Sequence, residues 1–158
     1  MVRNRVIVYD ATCPKLGRVW QAGARFARAS TVIAATSVSD MRIRLQELSQ
    51  IDELQIWAHG SPGRVHIGKQ VMTAGGVGAL PVHTRSVVWF RTCATFYGQR
   101  GKRFARSARD GYGCLVKGHL KNIWLYHGGL VAIRPGVEPY WGDDQRDAGG
   151  VFFWGGLK

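Results

Sequence analysis

Cys93 and His59 are the residues of this chain best suited to chemistry, because a thiol beside an imidazole can pass its proton to the ring and attack a carbonyl carbon. Each follows an apolar, β-type run. Leu54-Gln55-Ile56-Trp57-Ala58 leads straight into His59-Gly60-Ser61-Pro62-Gly63, a cluster of turn formers that must end a strand. Ser86-Val87-Val88-Trp89-Phe90 is followed by Arg91-Thr92-Cys93-Ala94-Thr95, with Gly98 and Gly101 ahead of a helical pattern. In an open parallel sheet, crossover helices bring the C-terminal ends of neighbouring strands to one edge, where such sheets place their sites. The two groups can therefore meet. Taken singly, they read as a turn histidine and a buried structural cysteine; together, at two strand ends, they favour a thiol–imidazole site.

The elements that must position them recur along the whole chain. Arg5 to Tyr9 is β-branched and nearly continuous in apolar character, as a strand covered on both faces should be. Leu16 to Ala29 reads as a helix with Leu16, Val19, Trp20, Gly23, Phe26 and Ala27 on one face and Arg18, Arg25 and Arg28 opposite. A short strand from Thr31 to Thr36 precedes a helix capped by Ser37 or Ser39, with Met41, Leu45 and Leu48 on one face. Past the His59 turn, Arg64 to Gly68 and Gln70 to Met72 suggest a small hairpin beside the sheet, His66 pointing to solvent. Gln99 to Arg109 follows as a helix whose Lys102, Arg103, Arg106 and Arg109 form a basic face, then a strand from Cys114 to Gly118 and a last one within Trp124 to Ile133. This alternation predicts a three-layer α/β/α sandwich with a mostly parallel sheet of about six strands. Residues 1–158 read as one domain, ending in an irregular, aromatic-rich segment over 135–158.

Composition narrows the setting. The chain carries 22 Lys plus Arg against 10 Asp plus Glu, a formal charge of +12, with 46% hydrophobic residues. Such a surface attracts nucleic acid or an acidic protein through its basic helix faces, which makes an anionic-partner binding domain the alternative to an enzyme. Three cysteines with no C-x-x-C spacing fit neither a disulfide framework nor a zinc knuckle, and point to a reducing, cytoplasmic location. No apolar run approaches the roughly 20 residues that a bilayer span needs. No metal or cofactor is expected: H-E-x-x-H is absent, as are the phosphate-binding P-loop and the G-x-S-x-G elbow that an α/β-hydrolase reading of the His59 turn would require.

A hydrophobic strand ending in His-Gly, and a second ending in a cysteine beside a small residue, resembles the caspase-like cysteine peptidases, a group that includes caspases, gingipains, separases and bacterial CHAT domains. Ala58-His59-Gly60-Ser61-Pro62-Gly63, with its following hairpin, looks most like the bacterial, stand-alone members, and Thr92-Cys93-Ala94 with Gly98, Gly101 and Phe104 is similar to their nucleophile strand and helix. The resemblance implies an endopeptidase acting on a protein or peptide substrate, with Cys93 as nucleophile and His59 as general acid and base. It implies an oxyanion hole from the backbone N–H groups of Gly60 and Cys93, each donor worth about 3 kcal/mol, with Gly60 letting substrate approach the backbone. It also implies that Asp10, at the end of the first strand, lines the pocket for the residue before the scissile bond and favours Arg or Lys there; the plain alternative is that Asp10 caps a loop. Where the family often has an acidic residue or Gln and then Ala, this chain has Arg91-Thr92, and a guanidinium facing the thiol would ease its ionisation. His127-Gly128 repeats the His-Gly pair but sits in a strand or hairpin interior, which suits a structural or rim role. His83 and His119 carry no signal beyond exposure or packing.

Overall fold

The computed structural model describes residues 4–123, 129–139 and 141. Its centre is β1 (Arg5–Asp10), an unbroken apolar strand because both of its faces are covered. Val6 and Val8 enter one core, and Ile7 and Tyr9 a second, smaller one on the opposite face. Next come α1 (Gly17–Phe26), β2 (Thr31–Ala35), α2 (Val38–Gln46) and β3 (Ile51–Trp57). Three short strands, β4 (His59–Ser61), β5 (Arg64–Ile67) and β6 (Gln70–Met72), then form a separate antiparallel sheet. After a single 3-10 turn at Ala74–Gly76 the main sheet resumes with β7 (Val82–Arg91), α3 (Gly98–Tyr112), β8 (Leu115–His119) and β9 (Leu130–Ile133).

The main sheet has six strands in the order β2-β1-β3-β7-β8-β9, and only β9 runs antiparallel to its neighbour. Helices α2 and α3 cover one face, burying Met41, Leu45, Phe104, Ala105 and Ala108 against Leu54, Ile56, Val88 and Phe90. On the other face α1 lays Trp20 and Ala24 against Ile7, Tyr9 and Trp57. The α/β/α sandwich expected from the alternation of elements is thus the fold. It follows from apolar strands that need cover on both sides.

Several local expectations shift. Helix α1 buries Gly17 and Ala24 and half-buries Trp20 and Gly23, whereas Val19 and Phe26, read from the sequence as core, are 61% and 88% exposed. The reason lies at Gly23: a Cβ there would come within 2.8 Å of the Trp57 ring, so the helix settles on its glycine side, rotated away from Val19 and Phe26. Helix α2 is capped by Ser37, whose hydroxyl accepts from Asp40 N–H at 3.0 Å. His66 is half-buried and meets Ser61 Oγ at 3.0 Å rather than pointing to solvent. His83 pairs with Asp52 at 3.1 Å, and His119 is fully buried, taking a hydrogen bond from Trp89 Nε1 at 3.3 Å. His127 and most of the aromatic-rich 135–158 segment lie outside the described residues.

Candidate active site

Strand order decides which loops meet. The chain leaves β1 toward β2 on one side and returns through β3 toward β7 on the other, so the β1/β3 boundary is the point where the winding reverses. Strand β3 is flanked by β1 and β7, and His59, just past its end, therefore lies between the loop that follows β1 and the loop that follows β7. The first of those loops carries Cys13 and the second carries Cys93.

The β7 loop is built from buried parts. Thr92, Ala94, Thr95 and Phe96 are all buried, and Cys93 is half-buried. Thr92 Oγ1 and Thr95 Oγ1 share a hydrogen bond of 2.6 Å inside the turn. Outside it, Ala94 N–H donates to Lys121 O and Phe96 N–H to His119 O, each at 3.0 Å, tying the loop to β8 and its continuation. Beneath lie the rings of Phe90, Phe96 and Phe104, with centroids 5.1 to 6.4 Å apart. This packing holds Ala94 at φ +48, a left-handed conformation that strains a residue with a Cβ. Strain of that kind, directly after a candidate nucleophile, persists only where surrounding structure over-determines it.

The His59 turn leans on this loop. A Cβ at Gly60 would lie 2.5 Å from Thr95 Oγ1 and 2.6 Å from the Cys93 carbonyl oxygen, so only glycine lets β4 sit here. Gly63 N–H donates to Thr95 O at 2.9 Å, and Thr95 Oγ1 reaches Arg64 O at 3.4 Å. The space freed at Gly60 is thus filled by the chain's own Cys93 loop, a different reason for glycine from the substrate approach expected of it. His59 and Cys93 are brought to one edge as their positions at strand ends implied.

The thiol that meets the imidazole is nevertheless a different one. Cys13 Sγ lies 3.4 Å from His59 Nε2, and the Trp20 ring meets the imidazole edge-on with centroids 5.4 Å apart. The Cys93 sulphur instead engages the backbone of Ile123, 3.6 Å from its oxygen and accepting from its N–H at 3.4 Å. Burial pushes the Cys93 thiol up from its ordinary value, and the Ile123 hydrogen bond pulls against that. Burial therefore works against ionisation of Cys93. Arg91 does not help: its guanidinium lies between the Trp57 and Trp89 rings, 4.5 and 4.8 Å from their centroids, and donates to Gln55 Oε1 at 3.4 Å.

Asp10 is buried, and its Oδ1 accepts from Thr12 N–H at 2.9 Å, from Thr12 Oγ1 at 2.7 Å and from Gly68 N–H at 3.4 Å. It shapes the β1 loop and fastens the β5–β6 turn over it. An open hollow of about 570 Å³ adjoins it, lined by Thr12, Thr36, Ser37, Gly68, Lys69 and Gln70. Across β4 and β5, His66 pairs with His59, and its pKa is lowered first by burial and then by the charges of Arg64 and His59.

Of the basic faces, the one on α3 is partly spoken for. Arg106 pairs with Glu138, Arg109 pairs with Asp110 at 2.7 Å, and Lys102 and Arg106 lie over the Trp141 ring at 5.4 and 5.9 Å. Among the described residues no three His, Cys, Asp or Glu side chains gather as metal ligands, and no helix is long and apolar enough to cross a membrane. Sequence reasoning missed Cys13 and Trp20. Cys13 stands past the end of an apolar strand, the same signal that singled out Cys93, but the strand order that turns it toward His59 is not written in any local pattern. No protein-family model matches this chain, and no curated protein sequence does.

Proposed function

We propose that this chain is a caspase-like cysteine endopeptidase. Cys93 attacks the carbonyl carbon of a peptide bond, and His59 takes the thiol proton and delivers it to the leaving amine. The imidazole then activates the water that releases the acyl group. The observation that carries this reading is the seating of the His59-Gly60 turn on the Cys93 loop, where a Cβ at Gly60 would stand 2.6 Å from the Cys93 carbonyl oxygen. Two strand ends bearing a base and a nucleophile are thereby held as one rigid body. The strained Ala94 and the phenylalanine cluster beneath add a preorganised support for the attacking sulphur. Because the imidazole faces Cys13 at rest, the reaction includes an exchange of thiol partners by His59. The Gly60 and Cys93 N–H groups serve as oxyanion donors in this scheme, and buried Asp10 favours a basic residue before the scissile bond through its field rather than by contact.

The test is cleavage of a diverse peptide library, read by mass spectrometry, with wild type, Cys93→Ala and His59→Ala. Cleavage by wild type alone is the expected result. Cleavage retained by Cys93→Ala overturns the proposal.

A binding domain without catalysis is a second reading, and α1 favours it: Val19 and Phe26 stand exposed beside exposed Arg18 and Arg25. An acidic protein with apolar side chains would suit that face better than nucleic acid. Association that weakens steeply with salt and tolerates Cys93→Ala would support this reading.

A further inference from the structure

We infer that Cys13 is a thiol modification site, activated by His59 and reactive toward small polar disulfides of the glutathione type. Three observations meet at this residue. Its sulphur stands 3.4 Å from His59 Nε2, close enough for the ring to receive its proton. The loop around it is open, with Ala11, Thr12, Pro14 and Lys15 all exposed and Cys13 itself half-exposed. The loop is nonetheless fixed: Ala11 N–H donates to Ala35 O and Gly17 N–H to Cys13 O, each at 2.9 Å, while Asp10 holds Thr12. Trp20 packs edge-on with the imidazole. An accessible sulphur is thus kept against a base without a fluctuating search for it.

The other two thiols are held by backbone groups instead. Cys114 is fully buried, and burial pushes it up to about 11. Cys93 is bound to the Ile123 backbone and is also pushed up by burial. The hollow that begins at Thr12, one residue from Cys13, is lined by Thr36, Ser37, Gly68, Lys69 and Gln70, a polar surface that suits a hydrophilic carrier.

The step balances as thiol–disulfide exchange. The Cys13 proton passes to His59 Nε2, and the thiolate attacks one sulphur of the disulfide. A bond forms between Sγ and that sulphur while the original S–S bond breaks, and the departing thiolate takes a proton from the imidazolium. Cys13 is oxidised, and one half of the disulfide is reduced. A consequence that rests on the peptidase reading, unlike the reactivity itself, is inhibition. The attached group occupies the sheet edge beside His59 and keeps substrate from Cys93. A reducing agent restores the thiol.

The experiment exposes wild type and His59→Gln to oxidised glutathione at neutral pH and follows each of the three cysteine-bearing peptides by mass spectrometry. In wild type, Cys13 is modified at least about tenfold faster than Cys93 or Cys114, and in His59→Gln its rate falls about tenfold or more. Modification of Cys93 or Cys114 ahead of Cys13 in wild type overturns the inference, a ranking that needs no variant to fold. So does a Cys13 rate indifferent to His59→Gln in a variant whose circular dichroism matches wild type. Because the readout is added mass, it stands whether or not the protein cleaves peptides.

Discussion

The loops that follow β1 and β7 approach His59 from opposite sides and are built in opposite ways. The β1 loop is shaped largely by its own residues, with Asp10 capping Thr12 two positions on, and it leaves Cys13, half-buried like Cys93, within reach of the imidazole. The β7 loop is shaped by distant residues, Lys121, His119 and Gly63, and it leaves Cys93 half-buried with a backbone partner. The difference separates two uses of a thiol. The first arrangement, a sulphur beside a base, suits reaction with a small electrophile, whereas in the proposed peptidase the second, on a strained and packed turn, suits a substrate that displaces its resting contacts.

The largest effect that would break this comparison is catalytic. Cys93→Ala lowers peptide cleavage by about 10⁴-fold or more, the scale on which nucleophile removal acts, whereas Cys13→Ser costs no more than about tenfold. Initial rates on the best library peptide decide it, and the reverse ranking would make Cys13 the nucleophile.

Next comes stability. Phe96 is fully buried against Phe90 and Phe104, so Phe96→Ala destabilises by about 3–5 kcal/mol in denaturant titration. Asp10→Ala, which frees donors on exposed Thr12, costs about 1–2 kcal/mol and speeds proteolysis within the β1 loop. Equal losses would show that the two loops are not differently anchored. Between these lies Gly60→Ala: a Cβ at 2.5–2.6 Å from Thr95 and Cys93 atoms forces the β4 turn off the β7 loop, at about 1–3 kcal/mol. Its cleavage rate should fall further than its stability, since the displaced element carries His59.

The last effect is a pH dependence. Cys114, beneath the β7 side, is pushed by burial from 9.0 to about 11, and Tyr112 is pushed up as well. The unfolded chain therefore loses these protons first. The contribution of Cys114 to stability is fully present below about pH 9 and is lost as pH rises through about 11. Chemical denaturation of Cys114→Ala across that range gives a flatter curve than wild type, and parallel curves would contradict the assignment.

Much of the fold was legible because its strands are short apolar, β-branched runs between turn formers, and length and flanking residues separate them from the helices. The hairpin after His59 was legible for the same reason, through Gly63 and Gly68. Of the α1 face expected to be apolar, Trp20, Gly23 and Ala27 do turn inward and Val19 and Phe26 do not, since the two flanks of so wide a face cannot both reach the sheet. Contact with Trp57 chose between them. Gly60 was recognised as necessary but for substrate access, because the Thr95 and Cys93 atoms that crowd it lie more than thirty residues away.

The sequence by itself determined the α/β alternation, the apolar strands and the placement of His59 and Cys93 at strand ends, because these depend on local periodicity and turn chemistry. Tertiary structure decided the partners. The order β1-β3-β7 set one imidazole between two thiols, and burial and backbone hydrogen bonds then gave each thiol its own environment. No local pattern encodes which strand lies beside which, since that is fixed by the combined packing of both faces of the sheet.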